Sequence, residues 1–319
     1  MSATARVAFL GTPVAAVPSL EAIVAEPDLE VVLVVTNPDR PRGRSGRAEP
    51  TPVRRAAERL GLACERPEDR RALASMLEDV RPDVVAVVAY GTLLDGGVLA
   101  ACGAGAINLH FSSLPRWRGA APVQAALRAG DTVTGLTAFR IDPGMDTGPV
   151  LAHREVRIGD EETAGELLAR LAELGAPVLL EGLRAALAGE PGVPQPEEGI
   201  TLAPRLGPAD LRLDLDADAG TVVAQVRSLA PRPGAVTTLR GATLKVLEVR
   251  SVDAGDAAAA PGTIVALEPS GPRVACGRGA VRLERVRPEG RGTMTGRDLV
   301  NGLRLSVGER LGGGGGGPA

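Results

Sequence analysis

The chain has 319 residues, 44% of them apolar and 24% charged, a length that accommodates two domains and a composition that excludes a globally disordered or fibrous protein. Its formal net charge is −3, so total charge alone does not mark it as a nucleic-acid binder. Only 2% is aromatic, which leaves any core to Ala, Val, Leu and Ile. Lys245 is the single lysine among 36 basic residues. Cys64, Cys102 and Cys276 are odd in number, far apart and without a CxxC spacing, a pattern that excludes a disulfide scaffold and a thiolate zinc site. No apolar run reaches the roughly 20 residues a membrane helix needs. The expectation is a cytoplasmic protein that does not enter a membrane.

The first half alternates short apolar runs with helical patterns. Residues 6–10 read as a strand, Thr12 and Pro13 as an N-cap and N1 pair, and Val14, Val17, Leu20, Ile23 and Val24 recur at helical spacing. A continuously apolar strand follows at 30–36, helices at 53–61 and 67–80, and another apolar strand at 84–90. Strands apolar on both faces belong to the middle of a parallel sheet covered by helices, so the expected fold is a doubly wound, mostly parallel α/β domain. Beyond it the pattern predicts a strand at 106–111, a helix at 121–129, strands at 133–141 and 148–158, and a helix to about 189 capped within 160–163.

From 190 to 199 proline, glycine and charge replace periodicity, which marks a linker. A helix at 217–229 then precedes short strands at 235–239, 243–250, 262–267, 272–276 and 280–287 and a short helix at 295–303. Short strands separated by turn residues point to a small β-barrel or sandwich. The expected division is a catalytic domain at 1–189, a linker at 190–207, a C-terminal domain at 208–311 and a disordered Gly-rich tail at 312–319.

Chemistry concentrates on the strand at 106–111. Ala106, Asn108 and His110 share one face and Ile107, Leu109 and Phe111 the other. Asn and His on a buried strand require partners, and the loop that follows, 112–122, lies at the strand's C-terminal end, where open α/β sheets bind ligands. A second, turn-rich loop at 142–149 carries Asp142 and Asp146; the first fits plain DPG turn chemistry. Asn, His and Asp together supply a donor, a group titrating near neutrality and an anion. That set suits acyl transfer to an amine, in which donors hold the oxyanion and a base removes the amine proton. No GxSxG elbow is present, which favours direct attack by the amine over an acyl-enzyme. Outside the glycine run at 312–317, which follows no strand and opens no helix pattern, neither GxGxxG nor GxxxxGK[ST] occurs, which argues against a nicotinamide or nucleotide cofactor, and two distant histidines offer no metal site. His153, in an alternating strand, reads as an exposed strand residue.

Four segments carry a resemblance: FLGTP at 9–13, VVAYG at 87–91, INLHFSSLPRWRGAAPVQ at 107–124 and GMDTGPVL at 144–151. Together they resemble the methionyl-tRNA formyltransferases, which take a formyl group from 10-formyltetrahydrofolate. The resemblance implies a Rossmann-like formyltransferase domain followed by an OB-like barrel, formyl transfer to the α-amine of methionyl initiator tRNA, and a monomer without a metal. It implies Asn108, His110 and Asp146 as the catalytic trio, with Asn108 and His110 holding the formyl oxygen and Asp146 setting the charge of His110 and helping to take the proton. It places folate against Ser112, Ser113, Leu114 and Pro115 and a pterin pocket along Val88, Tyr90 and Gly91. Ser113 departs from the family's usual Ser-Leu-Leu-Pro. The loop at 37–55 carries Arg40, Arg42, Arg44, Arg47, Arg54 and Arg55 against Asp39 and Glu49, and the resemblance makes Arg40, Arg42, Arg44 and Arg47 an arm for the tRNA acceptor end.

Counted from Pro208, the C-terminal part holds 15 basic and 12 acidic residues, a charge of +3 that leaves −6 for the remainder. All five rings, Phe9, Tyr90, Phe111, Trp117 and Phe139, precede Asp146. An RNA grip by the C-terminal part must therefore rely on arginine and backbone rather than on base stacking. Two other readings share these residues: a sibling transferase acting on a small amine, and an RNA-binding module that keeps the fold without catalysis.

Overall fold

The computed structural model describes residues 4–41, 48–253 and 259–312. They form two compact units, the first from Met1–Pro122, Val133–Arg157 and Leu168–Pro204, the second from Val123–Thr132, Ile158–Leu167 and Arg205–Ala319. The residues 190–204, linker by composition, thus belong to the first unit, and two short excursions of the N-terminal half belong to the second.

The first unit is built on strands β1 (Ala5–Gly11), β2 (Leu29–Val35), a two-residue ribbon β3 (Arg40–Pro41) and β4 (Ala48–Glu49), then β5 (Cys64–Glu65), β6 (Val84–Val88), β7 (Ala106–His110), β8 (Val133–Arg140) and β9 (Val150–Arg157). Its seven-stranded sheet has the order β5-β2-β1-β6-β7-β8-β9. Pairing is parallel from β5 to β7 and antiparallel at β7/β8 and β8/β9. Every residue of β6 is buried, as continuous apolarity requires of a central strand.

Helices cover both faces. α1 (Val17–Ala25) follows β1, and α2 (Pro52–Arg59) starts on Thr51, whose hydroxyl accepts the Arg54 N–H. α3 (Arg70–Val80) and α4 (Gly96–Ala100) begin at Asp69 and Asp95, whose carboxylates accept the N–H of Ala72 and of Val98. Leu73 and Leu77 of α3 and Val98 of α4 pack with Ala8, Leu10, Val35, Val85, Val87 and Ala106. The short helix α5 (Pro122–Arg128) precedes β8. The long α6 (Ala164–Leu187) lies against the other face, brought close by two glycines. A Cβ on Gly175 would stand 2.7 Å from Leu109 Cδ2, and one on Gly182 2.7 Å from Ala138 Cβ. Gly182→Leu is accordingly expected to overpack this contact and cost about 1–3 kcal/mol, read as a fall in Tm of about 2–4 °C per kcal/mol.

The second unit holds α7 (Ala219–Leu229), β10 (Ala235–Leu239), β11 (Ala242–Val252), β12 (Ile264–Glu268), β13 (Gly271–Ala275), β14 (Ala280–Pro288), β15 (Met294–Thr295) and α8 (Gly296–Leu303). The strands pair antiparallel in the order β10-β11-β14-β13-β12, with β15 on β14. Residues 310 and 311 bridge Thr263, just before β12, and Leu239 in β10, so the last described residues reach both edges of the sheet. Val222, Val226, Leu229, Leu244, Val246, Val274, Val281, Leu283, Val286 and Leu299 fill the interior. The aliphatic core expected from the missing rings is what the unit contains. Residues 313–319 of the predicted disordered tail lie outside the described residues.

Candidate active site

β7 brings Asn108 and His110 to one face, two residues apart, opposite Phe139 and Thr137 of β8. His110 is buried, and its ring meets Phe139 edge to face at 6.4 Å. Asn108 is half-buried and its amide has no hydrogen-bond partner among the described residues. After β7 the chain runs through a loop stitched to the sheet by Thr137, whose hydroxyl donates to the Ser112 carbonyl at 2.7 Å and accepts from the Leu114 N–H at 3.2 Å.

His110 Nε2 lies 2.8 Å from the Trp117 carbonyl oxygen. A carbonyl only accepts, so Nε2 carries the hydrogen. The other ring nitrogen, Nδ1, faces Asp146 Oδ2 at 3.7 Å. Burial pushes the His110 pKa below the ordinary histidine value, outweighing the Asp146 anion and the Trp117 carbonyl, which both push it up. The resting ring is therefore neutral near pH 7, and Nδ1 presents a lone pair beside a carboxylate.

Asp146 is aimed by its own loop. Asp142 Oδ1 accepts from the Gly144 N–H at 3.0 Å and from the Thr147 hydroxyl at 2.6 Å, which closes the turn and accounts for Asp142 as a structural residue. Asp146 itself has φ 55°, and its Oδ2 accepts the Gly119 N–H at 2.7 Å. Gly119, at φ 123°, could not carry a side chain there, because a Cβ would lie 2.5 Å from the Ala203 carbonyl oxygen.

The residues expected around a folate are placed unevenly. Val88 and Tyr90 are buried, Tyr90 in the cluster with Leu10, Leu73 and Val98, and Gly91 is exposed at φ 81°. The Tyr90 carbonyl, with Thr12 and Thr92, is gathered by the Asn37 side chain at the ends of β1, β2 and β6. Ser112 is wholly buried and its hydroxyl donates to the Arg116 carbonyl at 2.6 Å; Leu114 and Pro115 are also buried. Ser113 is partly exposed, and its hydroxyl lies 3.2 Å from His153 Nε2. His153 is thus exposed, as its strand pattern predicts, and also engaged. Of the arginine arm, Arg40 opens β3, while Arg42, Arg44 and Arg47 lie outside the described residues. Asp39 and Arg54 at the arm's two ends are joined at 2.5 Å.

Gln195 and Thr201 lie outside every quoted segment, while the Trp117 carbonyl and the Gly119 N–H belong to the segment at 107–124 but act through backbone groups that side-chain identity does not announce. Gln195 Nε2 donates to the carbonyls of Asp146 and Gly148 at 2.9 and 2.8 Å. Thr201 Oγ1 accepts the Trp117 N–H at 2.8 Å. Both lie in the stretch whose proline and glycine content reads as linker, and nothing in their spacing points to the site. The thiols offer no alternative nucleophile, since burial pushes Cys64 and Cys276 up to about 11 and Cys102 to about 12. Among the described residues no group of three or more His, Cys, Asp or Glu could hold a metal ion.

Residues 5–183 match the family model described as formyl transferase, and residues 205–304 match that of the formyl transferase C-terminal domain. A methionyl-tRNA formyltransferase of Aromatoleum aromaticum is 43% identical over 97% of this chain and 98% of its own length. One from Halorhodospira halophila is 45% identical over 96% and 98%. The chain belongs to the methionyl-tRNA formyltransferase family. The same fold recurs in HypX from Aquifex aeolicus, solved in complex with tetrahydrofolic acid, with a TM-score of 0.64 at 17% identity over 96% of this chain. This formyltransferase spans about half the length of that protein. One family model falls on the mostly parallel α/β sheet and the other on the antiparallel C-terminal sheet, so these are the formyltransferase fold and its second domain. No helix among the described residues is long and apolar enough to cross a membrane.

Proposed function

We propose that this formyltransferase moves the formyl group of 10-formyltetrahydrofolate to the α-amine of methionine on initiator tRNA, and that Asn108, His110 and Asp146 carry the reaction. The observation behind the reading is the pairing of a neutral His110, its Nδ1 lone pair bare, with the Asp146 carboxylate 3.7 Å away. Two acceptors facing one point are suited to a group that brings protons, and an attacking amine does so. The amine nitrogen bonds to the formyl carbon as the C=O becomes C–O⁻. The Asn108 amide, free of protein partners among the described residues, donates to that oxygen; His110, which the resemblance pairs with Asn108 in that task, has its Nε2–H committed to the Trp117 carbonyl and so serves as the proton acceptor instead. The amine proton passes to the His110–Asp146 pair, the bond from the formyl carbon to the folate nitrogen breaks, and that nitrogen takes a proton as it leaves. No covalent enzyme intermediate is needed, in keeping with three thiols held protonated by burial.

The donor is held near the ends of β6 and β7, where Gly91 and Ser113 are accessible and Val88, Tyr90, Ser112, Leu114 and Pro115 form the wall behind them. The tRNA is met by the arm bearing Arg40, Arg42, Arg44 and Arg47, and by the ring-free second unit through arginines such as Arg232, Arg287, Arg291 and Arg297, which form no ion pair among the described residues.

The test offers the enzyme 10-formyltetrahydrofolate with one acceptor at a time: methionyl initiator tRNA, an amino-sugar nucleotide or an aminated ribonucleotide. Formylated product is expected with the tRNA alone, with affinity that falls as salt rises. Formylation of a small amine in preference to tRNA would overturn the assignment of the acceptor.

A further inference from the structure

Two non-glycine residues of the site hold left-handed backbones, Trp117 at φ 63° and Asp146 at φ 55°. Such conformations are strained for residues with a side chain and persist when their surroundings over-determine them. Each of the two hands the site one group. Trp117 offers the carbonyl that holds His110 Nε2, and Asp146 offers the carboxylate that faces Nδ1. Each is also pinned by the strap at 193–203. Thr201 Oγ1 takes the Trp117 N–H, and the Thr201 and Ala203 backbones bond the two sides of Arg118 at 2.9 and 2.7 Å. Gln195 Nε2 donates to the carbonyl of Asp146, while its Oε1 accepts from Arg118 Nε and Nη2 at 3.1 and 2.7 Å. Upstream, Val193 and Val150 exchange both backbone hydrogen bonds at 2.8 Å and anchor the strap to β9. The Gln195 amide therefore spends both its oxygen and its nitrogen joining the loop that carries Trp117 to the loop that carries Asp146.

We propose that Gln195 and Thr201 are positioning residues that set the His110 tautomer and the His110–Asp146 separation, so that this apparent linker is part of the catalytic apparatus. The rate measurement below rests on the formyl-transfer reading; the imidazole spectrum does not.

The test compares Gln195→Glu, Thr201→Val and Thr201→Ser with the wild type, all as full chains checked for folding by Tm. The Gln195→Glu change keeps the size and the attraction to Arg118 while turning lone pairs toward two carbonyls; the Thr201→Val change keeps the size without the hydroxyl. For both, kcat is expected to fall about ten- to hundredfold with KM little changed, the scale of a misplaced reacting group. The acidic limb of the pH–rate profile should move with it. Nitrogen-15 spectra should show His110 as the Nε2–H tautomer in the wild type and in Thr201→Ser, and a mixed or shifted ring in Thr201→Val. Folded Gln195→Glu and Thr201→Val variants with wild-type kcat and the wild-type tautomer would overturn the proposal. If Gln195→Glu does not fold, the Thr201 pair decides: Thr201→Ser failing as Thr201→Val does would overturn it, and Thr201→Ser alone keeping rate and tautomer would support it. A wild type that forms no formylmethionine would instead remove the reading of the reaction, and the spectra of the variants would still decide the positioning role.

Discussion

Asp146→Asn is expected to lower the rate of formyl transfer by about 10²–10⁴-fold, the range over which a positioned acid–base group contributes. Asparagine keeps the size of the side chain, and its oxygen can still accept the Gly119 N–H, so the loop should stay in place. What disappears is the anion. Burial already pushes the His110 pKa down, and the Asp146 charge is the largest influence opposing it. Removing that charge leaves burial less opposed, so His110 should titrate still lower than in the wild type. The sign separates this account from one in which the carboxylate merely anchors the loop, because loss of an anchor would let water in and move the ring toward its ordinary value. The chain has only His110 and His153, so an NMR titration yields two imidazole curves, and a His153 variant assigns them. A His110 pKa that rises in Asp146→Asn, or a rate within a few-fold of the wild type, would contradict the role given to Asp146.

Asn108→Ala is expected to cost about 10²–10³-fold in kcat, as removal of one oxyanion donor does. Its structural consequences should be small. The Asn108 amide makes no hydrogen bond to the protein among the described residues, so truncation leaves no buried partner unsatisfied, and Tm should change little. A large loss of rate at constant Tm is the signature of a group that works on the reacting oxygen and not on the fold. Loss of stability without a fall in kcat would assign Asn108 to the structure instead.

The fold was legible wherever one physical cause dominated. Continuous apolarity placed β1, β2 and β6 in a covered sheet, and β10 matches its predicted range of 235–239. The site's strand was legible for the opposite reason, since Asn108 and His110 interrupt an apolar pattern and demand partners. Short elements were not: α4 begins with two glycines, and β5 and the β3–β4 ribbon are two residues long, too brief for any period to show. The strap was hidden for a different reason. Gln195 and Thr201 act on backbone groups 49 and 84 residues away in the chain, and composition reports only that their own stretch has no secondary structure. Ser112 carried the motif, yet its hydroxyl is spent on the Arg116 carbonyl, whereas Ser113, the departure from the family pattern, is the one left accessible beside His153.

The most direct measurement is a single-turnover transfer of labelled formyl from 10-formyltetrahydrofolate to methionyl initiator tRNA, with the intact mass of the protein followed at the same time. The account predicts label on the methionine α-amine, slowed together in Asn108→Ala and Asp146→Asn, and a protein mass that never gains a formyl group. A formylated protein that forms and decays on the way to product would contradict direct attack by the amine, and label left on the donor by a folded enzyme would contradict the account as a whole.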